Sequence, residues 1–435
     1  MLGLEELQQG LIGVWWLPNA EDVQVPGQLT WKNPDGARLK LLESLSEDPL
    51  AAHASTLPLT IFGEIEGTPV TLHNATSTSV SIKTGTHSSG TSQTFHATRL
   101  FVGALFTTED LQEVSEFQVS SRSLSSWQNR SGMTHEMTFN EPENQRRYSI
   151  SGVPLEDVEV SLPQGIMLKL HHSLSMNMSS DGSNSIGETN SFTFSCSTGL
   201  PLDIYRNYAS LLRDLLSIAA GRMVSSPSTT IRILNSAGTS SYPRGIDMYE
   251  WGSDGPDISA ENPMGRWAFR LGEGFEIADL SNWLHMDQRT SSHLRRLLAT
   301  RNSQGMFLED KLHNVAAVLQ GMGRDITNNP NASMQASFEA THGYIDSRLK
   351  AFIPDTSKWK KALADRRNEI SHHDAKATDL ELNTSLALYF SAYWLGVFGC
   401  FEKLRLSAQV SDSLFSSALT LHEITFANVH LQNLT

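Results

Sequence analysis

Cysteine is nearly absent from this sequence, and so are the short motifs of the common catalytic classes. The chain has two isolated cysteines, Cys196 and Cys400, which excludes a disulfide framework and a cysteine-rich zinc site and fits a reducing compartment. It contains no GxSxG elbow, HExxH, CxxC or phosphate-binding GxxxxGKS/T loop, and the turn Gly272–Gly274 falls short of one. The start Met1–Glu6 lacks the basic residues of a signal peptide. We therefore expect a cytoplasmic protein that uses no metal and no cofactor.

Basic residues are scarce in the first half of the chain. Residues 1–200 hold 10 Lys and Arg against 22 Asp and Glu, whereas residues 201–435 hold 23 against 25, so most of the net charge of -14 lies in the first half. An acidic surface repels nucleic acid at long range. A local basic patch is therefore expected in the second half, where residues 358–367 include five Lys and Arg side chains.

One long uncharged run, Leu382–Phe401, has about the length of a membrane-spanning helix. Four polar residues interrupt it, and neither flank is clearly basic, as the cytoplasmic flank of a span would be. We therefore expect a helix buried in the protein interior or in a dimer interface, and no membrane contact.

The first half consists of short, partly alternating apolar segments separated by Pro, Gly and polar residues, which is typical of strands and turns. Residues 11–198 therefore predict a β-rich sandwich or open barrel. Trp15 and Trp16 are expected in its core, where large aromatics most often serve, with a ligand platform as the alternative. His171 and His172 have no apparent acidic or cysteine partner, so no metal site is expected there.

After Leu200 the hydrophobic spacing becomes helical, although the Gly-, Ser- and Pro-rich stretch Asn235–Gly265 is expected to form a loop. Thr356 and Ser357 are the expected caps of a helix that covers 357–372. The helices predicted from residue 277 onward are 277–286, 289–302, 306–323, 333–351, 357–372, 378–407 and 411–431.

The order of these patterns predicts an α+β fold, with strands first and helices after them. We expect a β-rich domain at residues 1–200, a mixed connecting region at 201–280 and an α-helical bundle at 281–435.

The side chains best suited to chemistry lie in the stretch Asp365–Asp374, near the end of the predicted helix 357–372. It holds two arginines, an asparagine and two histidines within eight residues. Arginine presents a fixed charged fork that suits phosphate oxygens, and histidine gives and takes protons near neutral pH. The set is suited to cutting a phosphodiester bond without a metal. The alternative role is surface ion pairing with the neighbouring acids.

Helical geometry restricts which of these side chains can act together. Each residue of an ideal helix turns about 100°, so Arg367 and His372, five apart, point about 140° from one another. Arg366 and His373, seven apart, share a face. Pairing Arg367 with His372 therefore requires either that the helix ends near Ser371 or that a second copy of the helix completes the site.

The pattern Arg367-Asn368-x-x-x-His372 resembles the Arg-polar-(x3)-His signature of HEPN-domain ribonucleases. In that family the motif lies on a helix of a small bundle, and two protomers bring their motifs together in a dimer cleft. The resemblance covers roughly residues 285–430, and it implies a HEPN-type bundle.

The first half is similar to the N-terminal domain of ApeA-type abortive-infection proteins, over roughly residues 12–160. The similarity is carried by Trp15-Trp16-Leu17-Pro18, then Pro26-Gly27-Gln28-Leu29, then a strand and the turn Ile65-Glu66-Gly67. Proteins of that family carry a C-terminal HEPN domain. The two resemblances therefore occur in the expected order.

The resemblance implies a metal-independent endoribonuclease that cuts host RNA, with tRNA as a candidate, in bacterial antiphage abortive infection. It implies a homodimer or higher homo-oligomer, and a phage-derived trigger bound by the β-rich domain. The implied catalytic residues are Arg367, Asn368 and His372. The residues expected to contact RNA phosphates are Arg366, His373, Lys360 and Lys361.

Three alternatives stay open at this point. The pair Arg366 and His373 could replace Arg367 and His372 as the catalytic register. The helical domain could be a non-catalytic, dimeric HEPN-type scaffold that binds RNA or protein. The aromatic residues of the β-rich domain could instead form a carbohydrate-binding surface.

Overall fold

A computed structural model describes the chain except residues 1–3, 33–34, 47–49, 51–57, 84–89, 141–144, 179–183, 225–227, 235–244, 251–266, 304, 373–378, 433 and 435. It describes only the backbone at residues 4, 83, 90, 138–140, 145–148, 177–178, 184–185, 370–372 and 379–381. The chain divides into two compact units. The first contains residues 1–126, 130–209 and 225–261, and the second contains residues 127–129, 210–224 and 262–435. The predicted domain limits, 1–200, 201–280 and 281–435, stay predictions.

Most of the first unit is β-structure. Its strands are β1 Leu11–Trp16, β2 Val25–Lys32, β3 Gly36–Leu41, β4 Leu59–Ile65, β5 Thr68–Lys83, β6 Gly90–Val102, β7 Val114–Ser120, β8 Met133–Asn140, β9 Gln145–Gly152, β10 Val158–Ser161, β11 Met167–Met178, β12 Asn184–Leu200, β13 Ser228–Ile233 and β14 Ile246–Glu250.

Six of these strands close into an antiparallel barrel. They pair in the order β1, β2, β3, β6, β5 and β4, and β4 pairs back with β1. Strand β6 is long enough to pair with β3 and then β14 along one edge and with β5 along the other. Beyond β14 the same sheet continues through β13, β7, β12, β11 and β10. The α+β prediction is confirmed, with a closed barrel where the sequence left a sandwich or an open barrel as choices.

The barrel core explains the apolar alternation. Alternate residues of β2 are buried, and Trp15 and Trp31 are almost wholly inside. Trp15 donates its ring N–H to the Gly27 carbonyl at 3.3 Å and packs on Gly63, where a Cβ would overlap the ring. Trp16 is also buried. The core role of Trp15 and Trp16 is confirmed, and the tryptophans that suggested a carbohydrate surface are not exposed.

Two interpretations of the first unit are wrong. Within the expected loop Asn235–Gly265, β14 is a strand, because Ile246 and Met248 are buried between β13 and β6; residues 235–244 and 251–265 lie outside the described residues. The two adjacent histidines also have acidic partners. His171 of β11 lies 2.8 Å from Asp157, which directly precedes β10, and His172 of β11 lies 2.5 Å from Glu188 of β12.

The second unit is mostly helical. The helices of the described chain are α1 Leu4–Gln9, α2 Arg122–Gln128, α3 Leu202–Ala220, α4 Ile277–Leu284, α5 Gln288–Asn302, α6 Leu308–Thr327, α7 Met334–Tyr344, α8 Thr356–His372, α9 Asp379–Lys403, α10 Ala408–Phe415 and α11 Ala418–Leu431. Two short strands, β15 Arg270–Leu271 and β16 Gly274–Phe275, pair in parallel before α4.

Two predicted helices are shorter in the structure. The helix expected at 333–351 ends at Tyr344, and a 3-10 turn, Ser347–Lys350, follows it. The helix expected at 411–431 is two helices, α10 and α11. The Ser417 hydroxyl accepts the Thr420 N–H and begins α11, so local capping interrupts a continuous apolar period.

Helix α9 contains the long uncharged run. Among the described helices, its segment Leu382–Lys403 is apolar and long enough to cross a membrane, but 83% of the most apolar part is buried inside the unit. This burial confirms the expected interior helix and is consistent with a soluble protein.

Candidate functional site

Helix α8 is fixed to the rest of the helical unit by one apolar face. Trp359, Leu363 and Ala364 are buried. The Trp359 ring N–H donates to the Ser391 hydroxyl of α9 at 2.9 Å. Because an indole N–H buried without a partner is costly, this bond specifies which part of α9 faces α8. The motif is therefore carried on an anchored helix.

The start of α8 differs from the prediction. The Asp355 carboxylate accepts the N–H groups of Ser357 and Lys358 at 2.9 and 3.0 Å. Asp355 is thus the cap, and Thr356 and Ser357 lie inside the helix, with the Thr356 hydroxyl 3.3 Å from the His342 ring. A carboxylate at this position also interacts favourably with the helix dipole.

The end of α8 bears on the pairing of the motif. The helix continues to residue 372, so backbone positions 367 and 372 are separated by about 140° around its axis. The side chain of His372 and all of His373 lie outside the described atoms. The pairings of Arg367 with His372 and of Arg366 with His373 stay predictions.

Arg366 is engaged within the bundle. Its Nε donates to the Ser385 hydroxyl of α9 at 3.0 Å, and one Nη lies 3.1 Å from the Glu369 carboxylate. The side chain is only 11% exposed. These bonds attach Arg366 to α9 and to its own helix, and its expected contact with RNA phosphates stays a prediction.

Arg367 and Asn368 are the next two residues of the motif along α8. Asn368 is exposed and Arg367 is partly buried, with one Nη 3.5 Å from the Asn368 amide oxygen. A guanidinium beside an exposed amide can present several N–H donors to a phosphate. Of these two side chains, Asn368 is the more accessible.

The two lysines of the expected phosphate-binding set differ in their surroundings. Lys360 pairs with Glu339 of α7 at 2.7 Å and is 20% exposed, so α7 already neutralises it. Lys361 is 72% exposed and lies 3.8 Å from Asp365 on its own helix. An exposed pair of this kind is weak, which leaves Lys361 the more accessible cation.

Sequence reasoning missed His313 of α6 as a neighbour of the motif. Burial, followed by the positive charges of Arg367 and Arg296, lowers the pKa of His313, and Asp310 opposes the shift. Arg296 of α5 also donates to the Asn314 amide oxygen at 2.8 Å. Arg296 of α5 and Arg367 of α8 therefore both act electrostatically on His313 of α6. No sequence spacing signals this, because the three residues come from separate helices.

The donor set near α8 consists of guanidiniums, amides and imidazoles. Across the described part of the chain, no group of three or more His, Cys, Asp and Glu side chains is arranged to hold a metal ion. The chemistry that these groups can supply is phosphate binding, hydrogen bonding and proton transfer.

The comparison with protein families concerns mainly the first unit. The model of ApeA N-terminal domain 1 matches residues 10–247, more than half of the chain and nearly all of the strands from β1 to β14. The chain belongs to this family. Membership in the ApeA family indicates a protein of antiphage defence by abortive infection. The match extends beyond the resemblance over 12–160, and the HEPN resemblance of residues 285–430 stays a prediction.

No curated protein and no solved structure matches this ApeA-family chain.

Proposed function

We propose that this ApeA-family protein is a cytoplasmic, metal-independent endoribonuclease whose active site forms around the C-terminal end of α8. The main support is the arrangement of residues along that helix. Trp359 and Arg366 are bonded to α9, whereas the exposed Asn368 follows them beside the partly buried Arg367. An anchored helix that presents an arginine and an amide beside a histidine position suits the fixed geometry that catalysis requires.

The proposed reaction begins at a ribose 2′-hydroxyl. The imidazole of His372 takes its proton, the 2′-oxygen attacks the adjacent phosphorus, and the bond from phosphorus to the 5′-oxygen breaks. The leaving 5′-oxygen receives a proton from a second imidazole. Arg367 stabilises the charge that develops on the phosphoryl oxygens, and Asn368 orients them by hydrogen bonding. DNA, which lacks the 2′-hydroxyl, should not be cut.

The proposal requires two copies of the chain. Positions 367 and 372 are far apart around one helix, and the reaction needs one histidine for each proton transfer. A homodimer with two facing α8 helices supplies both requirements. On the basis of the family's role in defence, we further propose that the substrate is host RNA, with tRNA as a candidate, and that a phage-derived trigger acts on the β-rich unit.

The first prediction is that the purified protein, triggered where necessary, cuts tRNA in the presence of EDTA. His372→Ala should lower the cleavage rate by about 10²- to 10⁴-fold, as loss of an acid–base group does. Arg367→Ala should have a similar effect, and Arg367→Lys an intermediate one, because lysine keeps the charge and loses the fork. Cleavage is followed on a gel with end-labelled tRNA and with the matching DNA.

The control is Arg348→Ala, which removes an exposed arginine of the same unit that pairs with Asp346 and Asp412. It should cut at the normal rate. His373→Ala should also cut, whereas a loss confined to His373→Ala and Arg366→Ala would favour the other register. RNA that stays intact under every activating condition, although the protein binds it, would favour the non-catalytic scaffold.

A further inference from the structure

The outer face of the barrel carries a group of basic side chains, although the first half of the chain is acidic overall. Residues 11–102, which contain the barrel, include five Lys and Arg residues. Three of them, Lys32, Arg38 and Lys40, line one cavity of about 360 Å³ on the surface of β2, β3 and β6. We refer to these three side chains as the barrel cations.

Strand register explains why the barrel cations lie together. In β2 and β3 alternate residues are buried, so Lys32, Arg38 and Lys40 all belong to the outward set. Arg38 stands between Thr30 of β2 and His96 of β6 in the pairing of the strands. Two residues of a strand rise by about 7 Å, so Arg38 and Lys40 are neighbours along β3.

The barrel cations lack the ion pairs that other cations of the same unit make. Arg99 and Arg206 both pair with Asp203 and Glu250. Lys169 and Arg232 likewise pair with carboxylates. Among the residues that the structure describes, no carboxylate forms an ion pair with Lys32, Arg38 or Lys40, although Asp35 also lines the cavity. In a region with an excess of acids, three adjacent cations without an ion pair to any described residue differ from the paired cations named above.

The lining of the cavity indicates the chemistry of its ligand. Besides the barrel cations it contains the side chains of Gln28, Thr30, Asp35 and His96, and no aliphatic or large aromatic side chain. A protein partner would usually need apolar or aromatic anchors. Phosphate groups instead need charged forks and N–H or O–H donors. The absence of a stacking platform in this lining favours contact with the backbone rather than the bases.

The acidic remainder of the unit does not prevent this contact. At physiological ionic strength charges are screened over about 8 Å. A phosphate in the cavity therefore responds mainly to the barrel cations and Asp35, a local balance of three positive charges against one negative charge. The sequence argument that the first half repels nucleic acid holds at long range only.

We propose that the barrel cations bind the phosphodiester backbone of a nucleic acid strand, independently of base sequence. The site contains no residue of α8, and it does not depend on the ribonuclease proposal. It assigns to the β-rich unit a ligand of definite chemistry, a strand with adjacent phosphates.

The test uses the full-length protein with His372→Ala, so that no strand is cut. Fluorescence anisotropy measures binding of labelled single strands of about twelve nucleotides, a length that small β-barrel domains can cover. RNA and DNA strands should bind alike. Because each contacted phosphate of a single strand contributes about 0.7 to the salt slope, three contacts should give a slope near 2. Raising the salt about fourfold should then weaken binding by about 20-fold.

The decisive variant is Lys32→Gln/Arg38→Gln/Lys40→Gln, which should bind at least tenfold more weakly at low salt and lose most of the salt slope. The matched control, Arg122→Gln/Lys169→Gln/Arg232→Gln, makes the same change in net charge at two exposed positions and one partly buried position elsewhere in the unit and should bind normally. All six side chains lie on the surface, so thermal unfolding should be nearly unchanged. Equal weakening in both variants, or no binding by the parent protein, overturns the proposal.

Two competitors identify the ligand class. Polyglutamate should displace the strand poorly. If it displaces the strand as effectively as unlabelled RNA does, the ligand is an acidic protein segment and the nucleic acid proposal is overturned. Pyrophosphate at the same phosphate concentration should also compete poorly, because it cannot reach all three cations. Equal competition by pyrophosphate would overturn binding of a strand in favour of a small phosphate ligand.

Discussion

The barrel and the helical unit are stabilised by different kinds of buried contact. The barrel core is a contiguous apolar cluster around Trp15 and Trp31. The helical unit contains, besides its apolar residues, buried polar links between helices, of which Arg301 with Glu423 is the most extensive. In a sheet, backbone pairing already fixes which strands are neighbours. Helices satisfy their backbone internally, so side-chain links are available to specify which helices pack together.

This contrast predicts that the helical unit is sensitive to loss of charge pairing, and the barrel to changes of volume. The predictions below are ordered by the expected size of their effect.

The largest effect is expected from Glu423→Ala. The Glu423 carboxylate accepts hydrogen bonds from both terminal nitrogens of Arg301, at 2.9 and 3.1 Å, and from the ring N–H of Trp394, at 2.8 Å. The side chains of Arg301 and Glu423 are 15% and 10% exposed. Removing one partner leaves a buried charge uncompensated, so the free energy of unfolding should fall by about 3–5 kcal/mol. Hydrogen exchange in urea, read separately for helical and barrel peptides, measures where the loss falls.

The matched control for this prediction is Asp412→Ala. Asp412 pairs with Arg348 at the surface, where the two side chains are 50% and 59% exposed. The loss there should stay below about 1 kcal/mol. The double variant Arg301→Met/Glu423→Leu should be more stable than Glu423→Ala, since it leaves no buried charge. A Glu423→Ala protein as stable as the control would contradict the role assigned to the link.

Acid should produce the next largest effect, and in both units. Burial, and then the charge of Arg99, lowers the pKa of His73 in the barrel from 6.5 to about 4. Burial, and then the charge of Lys350, lowers the pKa of His342 in the helical unit to about 4. The unfolded chain binds these protons near pH 6.5 and the folded chain only near pH 4. Stability is therefore complete above pH 6.5 and falls as the pH drops through that window, by at most about 3 kcal/mol for the buried His73 and by less for the half-buried His342, whose charge solvent screens.

Thermal unfolding at about pH 7.5 and pH 5 measures this effect in the parent protein, His73→Gln and His342→Gln. Each variant should lose less stability on acidification than the parent. Hydrogen exchange should show this smaller loss of stability in barrel peptides for His73→Gln and in helical peptides for His342→Gln. The control, His285→Gln, changes an exposed histidine and should leave the acid sensitivity unaltered. Variants that respond to acid like the parent would show that other groups cause the loss.

Local sequence pattern predicted much of the barrel because its core residues alternate along each strand. The closure of the barrel was not predictable in this way, since β6 must choose partners in β3, β5 and β14 that lie far apart in the chain. Strand β14 was missed for the same reason. It has five residues, and its burial comes from its neighbours rather than from a pattern of its own.

The sequence likewise predicted only part of the candidate site. The sequence located the motif on α8 and the burial of Trp359, both of which follow from spacing along one helix. It could not assign Arg366 to Ser385 or bring His313 near Arg367, because those relations depend on how α6, α8 and α9 pack. The cap also moved from Thr356 and Ser357 to Asp355, whose carboxylate is the stronger competitor for the free N–H groups.

The smallest effect, Gly63→Ala, tests the barrel side of the contrast. Gly63 pairs directly with Trp15 across β4 and β1, and a Cβ there would overlap the indole ring. The added methyl group must displace a large side chain in a closed core, so we expect a loss of about 1–3 kcal/mol in the free energy of unfolding. The control is Gly187→Ala in β12, where the Cβ would meet only the Ser175 hydroxyl, and the change should stay within about 0.5 kcal/mol. If urea unfolding finds the two variants equally stable, the barrel tolerates added volume, and its stability cannot be attributed to close packing around Trp15.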